Sequence, residues 1–321
     1  MKTLSVRHTD INFSAIGYGC MNLANTWDSS PLQKQDFLNA ESRVFTALDS
    51  GITLFDHADI YMFGKSEEVF SAVWEKRSSL RSQIILQRKC GIQFDNDPHA
   101  GDPKRYDFSY LHIMQSVERS LKRLKTDYLD ILIFHRPDAL TEKEEFARAC
   151  NELFLDGKVN YFGLSNVSAS QFDLFQSWTD EKFIINQLQL SLAHHQLITD
   201  GLVVNLEAFS GLSDTLNYCQ QHNILIQAWA PTAGGFFSKP LFEIPENKRH
   251  FVDIVQKMAW NRGVAAEVIA LAWLLKHPAL IQPIIGTTNL DRIKESVTAA
   301  DFYMSREEWY SLSTAAIGEL P

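Results

Sequence analysis

Residues 113–166 read IMQSVERSLKRLKTDYLDILIFHRPDALTEKEEFARACNELFLDGKVNYFGLSN, and their changing periodicity decides the fold. Apolar side chains recur at Ile113, Val117, Leu121 and Leu124, the spacing of one helix face. The next apolar run, 129–134, is short and stops at His135. Helical spacing returns at Phe146, Cys150, Leu153 and Phe154 within 143–155. A second short run, 159–163, leads up to Ser165 and Asn166. Strand, helix and strand in that order make a parallel βαβ unit.

The alternation continues on both sides. Runs at 15–17, 52–55, 84–86, 183–186, 224–228 and 283–285 bring the candidate strands to eight. A helical pattern at 41–48 carries Val44, Phe45 and Leu48. Eight strands alternating with helices predict an α/β fold, a closed (β/α)8 TIM barrel, over 1–321 as a single domain. The first residues, up to Phe13, are expected to form a hairpin closing the bottom of the barrel, and one extra helix is expected after Ala300. The turn-rich stretch 94–107, with Pro98, Gly101 and Pro103, is expected to cover the mouth.

Composition narrows the function. The chain has 321 residues, 45% hydrophobic and 21% charged, enough for a large core and unlike a disordered chain. A formal net charge of −9 argues against a nucleic-acid partner, since phosphate backbones are repelled. Lys122, Arg123 and Lys125 read as a solvated helix face. Cys20, Cys90, Cys150 and Cys219 form no C-x-x-C pair and suit reduced thiols in a cytoplasmic protein. The N-terminus has no sustained apolar run of the secretory kind, and the best apolar run, 268–275, is too short to span a bilayer, so no membrane role is expected.

Polar residues recur where the apolar runs stop: Asp56, Lys89, His135, Ser165, Asn166 and Gln187. In a TIM barrel these are the C-terminal strand ends, where active sites lie. Neighbouring strands sit about 4.8 Å apart, so Asp56, Lys89 and His135 on strands two to four come within mutual reach. Tyr61, five residues past Asp56, can fold over them. Each residue alone reads more readily as a cap or a packing group; the set carries the argument. A tyrosine keeps its proton at neutral pH yet can give it to a developing alkoxide. A lysine beside it is expected to lower its pKa, an aspartate to hold the lysine, and a histidine to orient a carbonyl oxygen. Such a set is an acid catalyst for carbonyl reduction. It lacks a hydride, which a cofactor must bring.

The later strand ends suit that cofactor. Ser165, Asn166 and Gln187 can hydrogen-bond a carboxamide, and Trp229 can stack on a flat ring. The run from Ala230 through Thr232 to Gly234 and Gly235 offers small residues and backbone N–H groups to a pyrophosphate. Gly286, Thr287, Thr288 and Asn289 lead into a helix with Arg292 in its first turns, a phosphate site. The plain reading of Thr287 to Asn289 is an ordinary helix cap.

These motifs resemble the aldo-keto reductase family. Phe55-Asp56-His57-Ala58-Asp59-Ile60-Tyr61 is similar to its segment around the catalytic aspartate and tyrosine. Residues 120–130 resemble its signature leading into strand four, 157–166 the next, and Ile284 to Thr288 with Arg292 its cofactor signature. The run His135-Arg136-Pro137-Asp138 resembles a bacterial oxidoreductase branch. The resemblance implies an NADP(H)-dependent oxidoreductase, NAD(H) also being admitted, that reduces aldehydes or ketones to alcohols. It makes Tyr61 the proton donor, Asp56 and Lys89 its tuning pair, and His135 the orienting group. It places Ser165, Asn166 and Gln187 on the nicotinamide amide, Trp229 on the ring, and Arg292 and Glu295 at the 2′-phosphate and adenine. Gly19, Cys20, Met21, Ala230, Thr232, Gly234, Gly286, Thr287 and Thr288 complete the implied cofactor site. Two positions depart from the family: Gly286 stands where many relatives have lysine, and Ser296 where many have asparagine.

Trp27, Met62, Phe63, Phe94, Tyr106 and Arg136 are expected at the mouth, which suggests an aromatic or apolar carbonyl compound with a polar tail on Arg136. Three other readings compete. A Schiff-base lyase on Lys89 leaves Trp229 and Arg292 unexplained. A metal hydrolase on His57, Asp59 and His135 lacks a second His-x-His set, and the adjacent His194 and His195 point apart in an extended segment, so no metal is expected. A cofactor-binding sensor subunit with little turnover keeps the same pocket. Oligomeric state is not legible in the sequence.

Overall fold

All eight expected strands form, and each pairs in parallel with its neighbours until the sheet closes. The structure, a computed structural model, describes residues 2–7, 9–202, 214–318 and 320. The barrel strands are β1 (Gly17–Gly19), β2 (Leu54–Ala58), β3 (Ile85–Cys90), β4 (Leu129–Phe134), β5 (Val159–Ser165), β6 (Phe183–Gln189), β7 (Leu225–Trp229) and β8 (Ile281–Ile285). β8 returns to β1 through the pairs Ile284–Gly17 and Ile285–Tyr18.

Several strands run past their apolar stretch. β2 reaches Ala58, so Asp56 lies within the ladder, opposite Gln87 of β3, and Ala58 lies opposite Lys89. The reason is the two-residue period of a strand inside a closed sheet: one face meets the helices and the other meets the barrel axis. Leu54, Ile85, Ile131, Ile133, Ile185, Leu225 and Ile284 form the apolar part of the interior. The opposite face, including Phe55, Leu86, Leu132, Phe134 and Phe162, packs under the helices.

The barrel floor is closed as expected. Thr3–Ser5 pairs antiparallel with Asn12–Ser14, and Val6 and Phe13 pack beneath the interior apolar layer. Met1 and His8 of this segment lie outside the described residues. Beside these apolar residues Gln87, Gln227 and Gln282 form a hydrogen-bonded row inside the barrel. Gln87 and Gln227 exchange bonds of 2.8 Å, Gln227 reaches Gln282 at 2.9 Å, and Gln282 Nε2 donates to the Ser14 carbonyl at 2.7 Å.

The helices are α1 (Lys34–Asp49), α2 (Lys65–Lys76), α3 (Tyr110–Leu124), α4 (Lys143–Leu155), α5 (Ala169–Gln176), α6 (Gln196–Thr199), α7 (Thr215–His222), α8 (Glu246–Arg262), α9 (Ala266–Lys276), α10 (Leu290–Val297) and α11 (Arg306–Ile317). α11 is the extra helix after Ala300. Ser305 and Glu308 form a capping box at its start, and Trp309 stacks on Trp273 of α9 at 5.4 Å between ring centres. The turn-rich stretch after β3 begins and ends in a short hairpin, Ile92–Gln93 against Arg105–Tyr106. The four cysteines are unpaired and buried. Among the described residues no helix is long and apolar enough to cross a membrane.

The reading of residues 122–125 as one solvated face is corrected in part. Lys122 and Lys125 are exposed, but Arg123 turns inward, with Nη1 3.0 Å from the buried Glu67 carboxylate. A carboxylate sealed at 0% exposure needs a counter-charge, and Arg123 is within reach.

Phe134 anchors the helix-facing core between β4 and α4, with ring centres of Phe108, Phe146 and Phe183 at 5.0, 4.5 and 6.1 Å. Phe134→Ala is expected to lower unfolding stability by about 3–5 kcal/mol through the cavity it leaves. Guanidinium denaturation followed by circular dichroism measures this. A loss under about 1 kcal/mol would mean that the neighbouring rings collapse into the space.

Candidate active site

At the upper end of the barrel the interior carries charge. Lys89 Nζ lies 2.7 and 2.6 Å from the two oxygens of Asp56, and both side chains are almost fully buried. Gln87 Nε2 donates to Asp56 Oδ1 at 2.6 Å, which links the ion pair to the glutamine row. Lys89 also faces Tyr61, with Nζ 4.9 Å from the centre of its ring, close enough for its charge to act on the hydroxyl. Across the cavity, His135 meets Tyr61 edge to face, with ring centres 6.3 Å apart. The four residues expected to act together are therefore brought together.

Their electrostatics follow from burial and pairing. Burial works against the charge on Lys89, but Asp56 and Tyr61 outweigh it and hold its pKa above the ordinary lysine value. Burial raises the Tyr61 pKa and Asp56 adds to the rise; Lys89 pulls the other way without reversing it. The expected net lowering of Tyr61 is thus corrected: desolvation of the phenolate outweighs the attraction of Lys89. His135 is held well below the usual histidine range, first by burial and then by Lys89 and Arg136, so its imidazole is neutral at pH 7.

Tyr61 stands in a strained segment. The next three residues, Met62, Phe63 and Gly64, all have positive φ, of 51°, 57° and 88°. Two consecutive non-glycine residues there store strain that the surroundings must hold. A buried charge cluster on the outer side of β3 does so. Arg88 lies 3.2 Å from Asp59 and 3.6 Å from Glu67, and Ser116 of α3 donates to Asp59 at 2.6 Å. Arg123 presses against Gly64, where a Cβ would come within 2.5 Å of the guanidinium carbon. His57 belongs to this helix-facing side, its ring 4.7 Å from Phe70. It is a packing group whose pKa burial lowers to about 3. Among the described residues no three or more His, Cys, Asp or Glu side chains are grouped to hold a metal ion.

A cavity of about 690 Å³ opens from this cluster and runs across the barrel top to α10. Its walls include Gly19, Met21, Trp27, Asp56, Tyr61, His135, Arg136, Ser165, Asn166, Gln187, Trp229, Ala230, Thr232, Gly234, Gly286, Thr287, Thr288 and Arg292. Seven expected residues do not line it: Lys89 and Met62 are buried behind the wall, Phe94 and Tyr106 lie beyond it, and Cys20, Glu295 and Phe63 are turned away. Cys20 is wholly buried behind the wall. Glu295 faces solvent on α10, where Ser296 is the residue turned to the cavity. Phe63 stands outside at the rim, against Trp27 and Phe94.

The wall is built to hold a flat amide-bearing ring. Asn166, at φ 60°, donates to Ser165 Oγ at 2.7 Å and to the His135 carbonyl at 3.2 Å, and accepts from Trp229 Nε1 at 3.0 Å. That last bond fixes the plane of the Trp229 ring. Gln187 donates to Gln227 at 3.0 Å and stays at the cavity edge. Beyond Trp229, Ala230, Ala233, Gly234 and Gly235 turn at positive φ, which leaves low side-chain walls. At the far end Asn289 caps α10 by accepting from Asp291 and Arg292 N–H, the ordinary cap read from the sequence. These residues fit a dinucleotide: an amide cradle and ring platform at one end, small residues in the middle, an arginine at the other. Sequence reasoning missed Glu267, which lines the far end beside Arg292, and the Gln87–Gln227–Gln282 row. Nothing in their local sequence marks either; both come from strands and helices far apart in the chain.

Comparison with known proteins agrees. The sequence model of the Aldo/keto reductase family matches residues 15–317. An uncharacterized oxidoreductase of Bacillus subtilis, YcsN, is 34% identical over 311 residues, covering 96% of each chain. A 6-dehydroglucose reductase of Agrobacterium fabrum is 33% identical over 310 residues, again 96% of each. Among solved structures, the thermostable aldo-keto reductase Tm1743 shares the fold at a TM-score of 0.77 and 21% identity, covering 98% of this chain and 100% of that one. The barrel, the buried Asp56–Lys89 pair beside Tyr61 and the matches across nearly the whole sequence lead to one conclusion: the chain belongs to the aldo-keto reductase family and is a pyridine nucleotide-dependent oxidoreductase.

Proposed function

We propose that the protein reduces an aldehyde or ketone to an alcohol, with Tyr61 as the general acid. The observation that carries this reading is the placement of Lys89, paired with Asp56 and 4.9 Å from the Tyr61 ring centre, with Tyr61 facing a neutral His135. Bound NAD(P)H supplies the hydride. The carbonyl oxygen is held between the Tyr61 hydroxyl and the His135 ring, and Tyr61 gives its proton to the oxygen as negative charge develops there. Lys89, fixed by Asp56, then stabilises the phenolate. Ser165, Asn166 and Gln187 hold the carboxamide, and Trp229 supports the ring. Arg292 supports NADP(H) as the cofactor; the same pocket admits NAD(H).

The substrate enters past aromatic walls. Trp27 and Phe63 lie 6.0 Å apart, Phe63 and Phe94 5.3 Å apart, and the Arg136 guanidinium 5.7 Å from the Trp229 ring centre. Such surfaces take an aromatic ring or the C–H face of a sugar. The relative named for reduction of a dehydroglucose adds a sugar carbonyl to the aromatic compounds already expected. Unpaired buried thiols support a reducing compartment, the cytoplasm.

Three results would test this. Tyr61→Phe should lower kcat by about 10²–10⁴-fold, the usual worth of a positioned acid, with NADPH binding kept. Nucleotide oxidation with a panel of aromatic, aliphatic and sugar aldehydes reads it; binding without turnover across the panel would favour the sensor reading. The rate should also depend weakly on pH between about 6.5 and 9. Tyr61, shifted up, keeps its proton through this range, and His135, shifted down, stays neutral. An acid limb near pH 6.5 would mean that His135 titrates and the assignment is wrong. Finally, Arg136→Ala should selectively slow carbonyl substrates that bear a carboxylate, with little effect on neutral ones; equal effects on both would remove Arg136 from recognition.

A further inference from the structure

The adenosine end of the cavity carries an acidic group that the sequence reading did not use. Glu267, in the first turn of α9, points at Arg292 of α10, with Oε1 3.0 Å from Nη2. The Glu267 side chain is 12% exposed and the Arg292 side chain 46%. Oε2 accepts from the Ser238 hydroxyl. Oε1 is buried and, although within ion-pair distance of Arg292, is not aligned for a hydrogen bond with it, so this acceptor has no donor. Glu267 is part of the cavity wall, as are Gly286, Thr287 and Thr288.

The charges at this end nearly cancel. Arg292 is the cation in the wall there, Gly286 contributes no side chain, and the N–H groups of Asp291 and Arg292 at the start of α10 are already taken by Asn289. A phosphate on the ribose would have to draw Arg292 away from Glu267 and then sit beside a carboxylate. A ribose hydroxyl meets neither cost: it is uncharged and leaves Arg292 paired with Glu267.

We propose that Glu267 is a specificity-determining residue that weakens the grip of Arg292 on a 2′-phosphate and opens the site to the unphosphorylated nucleotide. The protein therefore uses NAD(H) and NADP(H) with similar affinity. The proposal rests on the cofactor-site reading above and refines it.

The test measures binding, independent of turnover. Calorimetry with adenosine 5′-monophosphate and adenosine 2′,5′-bisphosphate, and fluorescence quenching with NADH and NADPH, give dissociation constants for wild type, Glu267→Gln and Arg292→Gln. In wild type the members of each pair should bind within about tenfold of each other. Glu267→Gln keeps the size of the side chain and removes its charge. It should tighten the 2′-phosphorylated compounds by roughly tenfold, as expected for removing a like charge from a partly screened site, and leave the others unchanged or slightly weaker. Arg292→Gln should weaken only the phosphorylated pair. If both nucleotides bind wild type and the ratio is the same in Glu267→Gln, the role of Glu267 is overturned and the cofactor site stands. If no nucleotide binds wild type, the cofactor-site reading itself fails.

Discussion

The Asp56–Lys89 ion pair lies inside the barrel, and much of the surrounding layout answers the cost of putting two charges there. Either charge alone would be strongly destabilising at that depth, so the two must meet with good geometry and have their remaining hydrogen-bonding capacity met. Both oxygens of Asp56 contact Lys89, one also accepts from Gln87, and the ammonium of Lys89 lies against the Tyr61 ring. The glutamine row carries this polar character on to Ser14. The barrel interior thus combines an apolar part, against which Phe13 packs, with a charged part open to the cavity.

A second charge system lies on the other face of the same strands. Because side chains alternate, Lys89 points inward and its neighbour Arg88 outward, as do Asp56 and His57. Arg88 joins Asp59, Glu67 and Ser116 under α2 and α3. This outer cluster fixes both ends of the strained segment that carries Tyr61, and the charge of the inner pair acts on its hydroxyl. Position and acidity of one side chain are therefore governed by two networks on opposite sides of β3.

The far end of the cavity is governed by balance. α9 and α10 approach closely enough for Glu267 to reach Arg292, so a site that looks basic along the chain has little net charge in space. The nicotinamide end shows the same economy of groups: Asn166 satisfies Ser165, the His135 carbonyl and Trp229 at once, and so orients the ring platform and the histidine strand end together.

The sequence by itself determined the barrel, because helix and strand periods are local and eight alternations leave few ways to bury both kinds of apolar face. It also determined the cluster of Asp56, Tyr61, Lys89 and His135, since the end of a strand is readable and neighbouring parallel strands bring their ends together. Only the tertiary structure decided the rest, because those features depend on distances between segments far apart in the chain. The direction of the Tyr61 pKa turned on how deeply its surroundings bury it. Arg123 left the solvated face of α3 because Glu67 is buried beside it. Cys20 and Glu295 sit next to cavity residues in sequence, yet side-chain direction turns one into the core and the other to solvent. Glu267 had no local mark at all; it became part of the site because two helices, joined by a strand, set a carboxylate against an arginine.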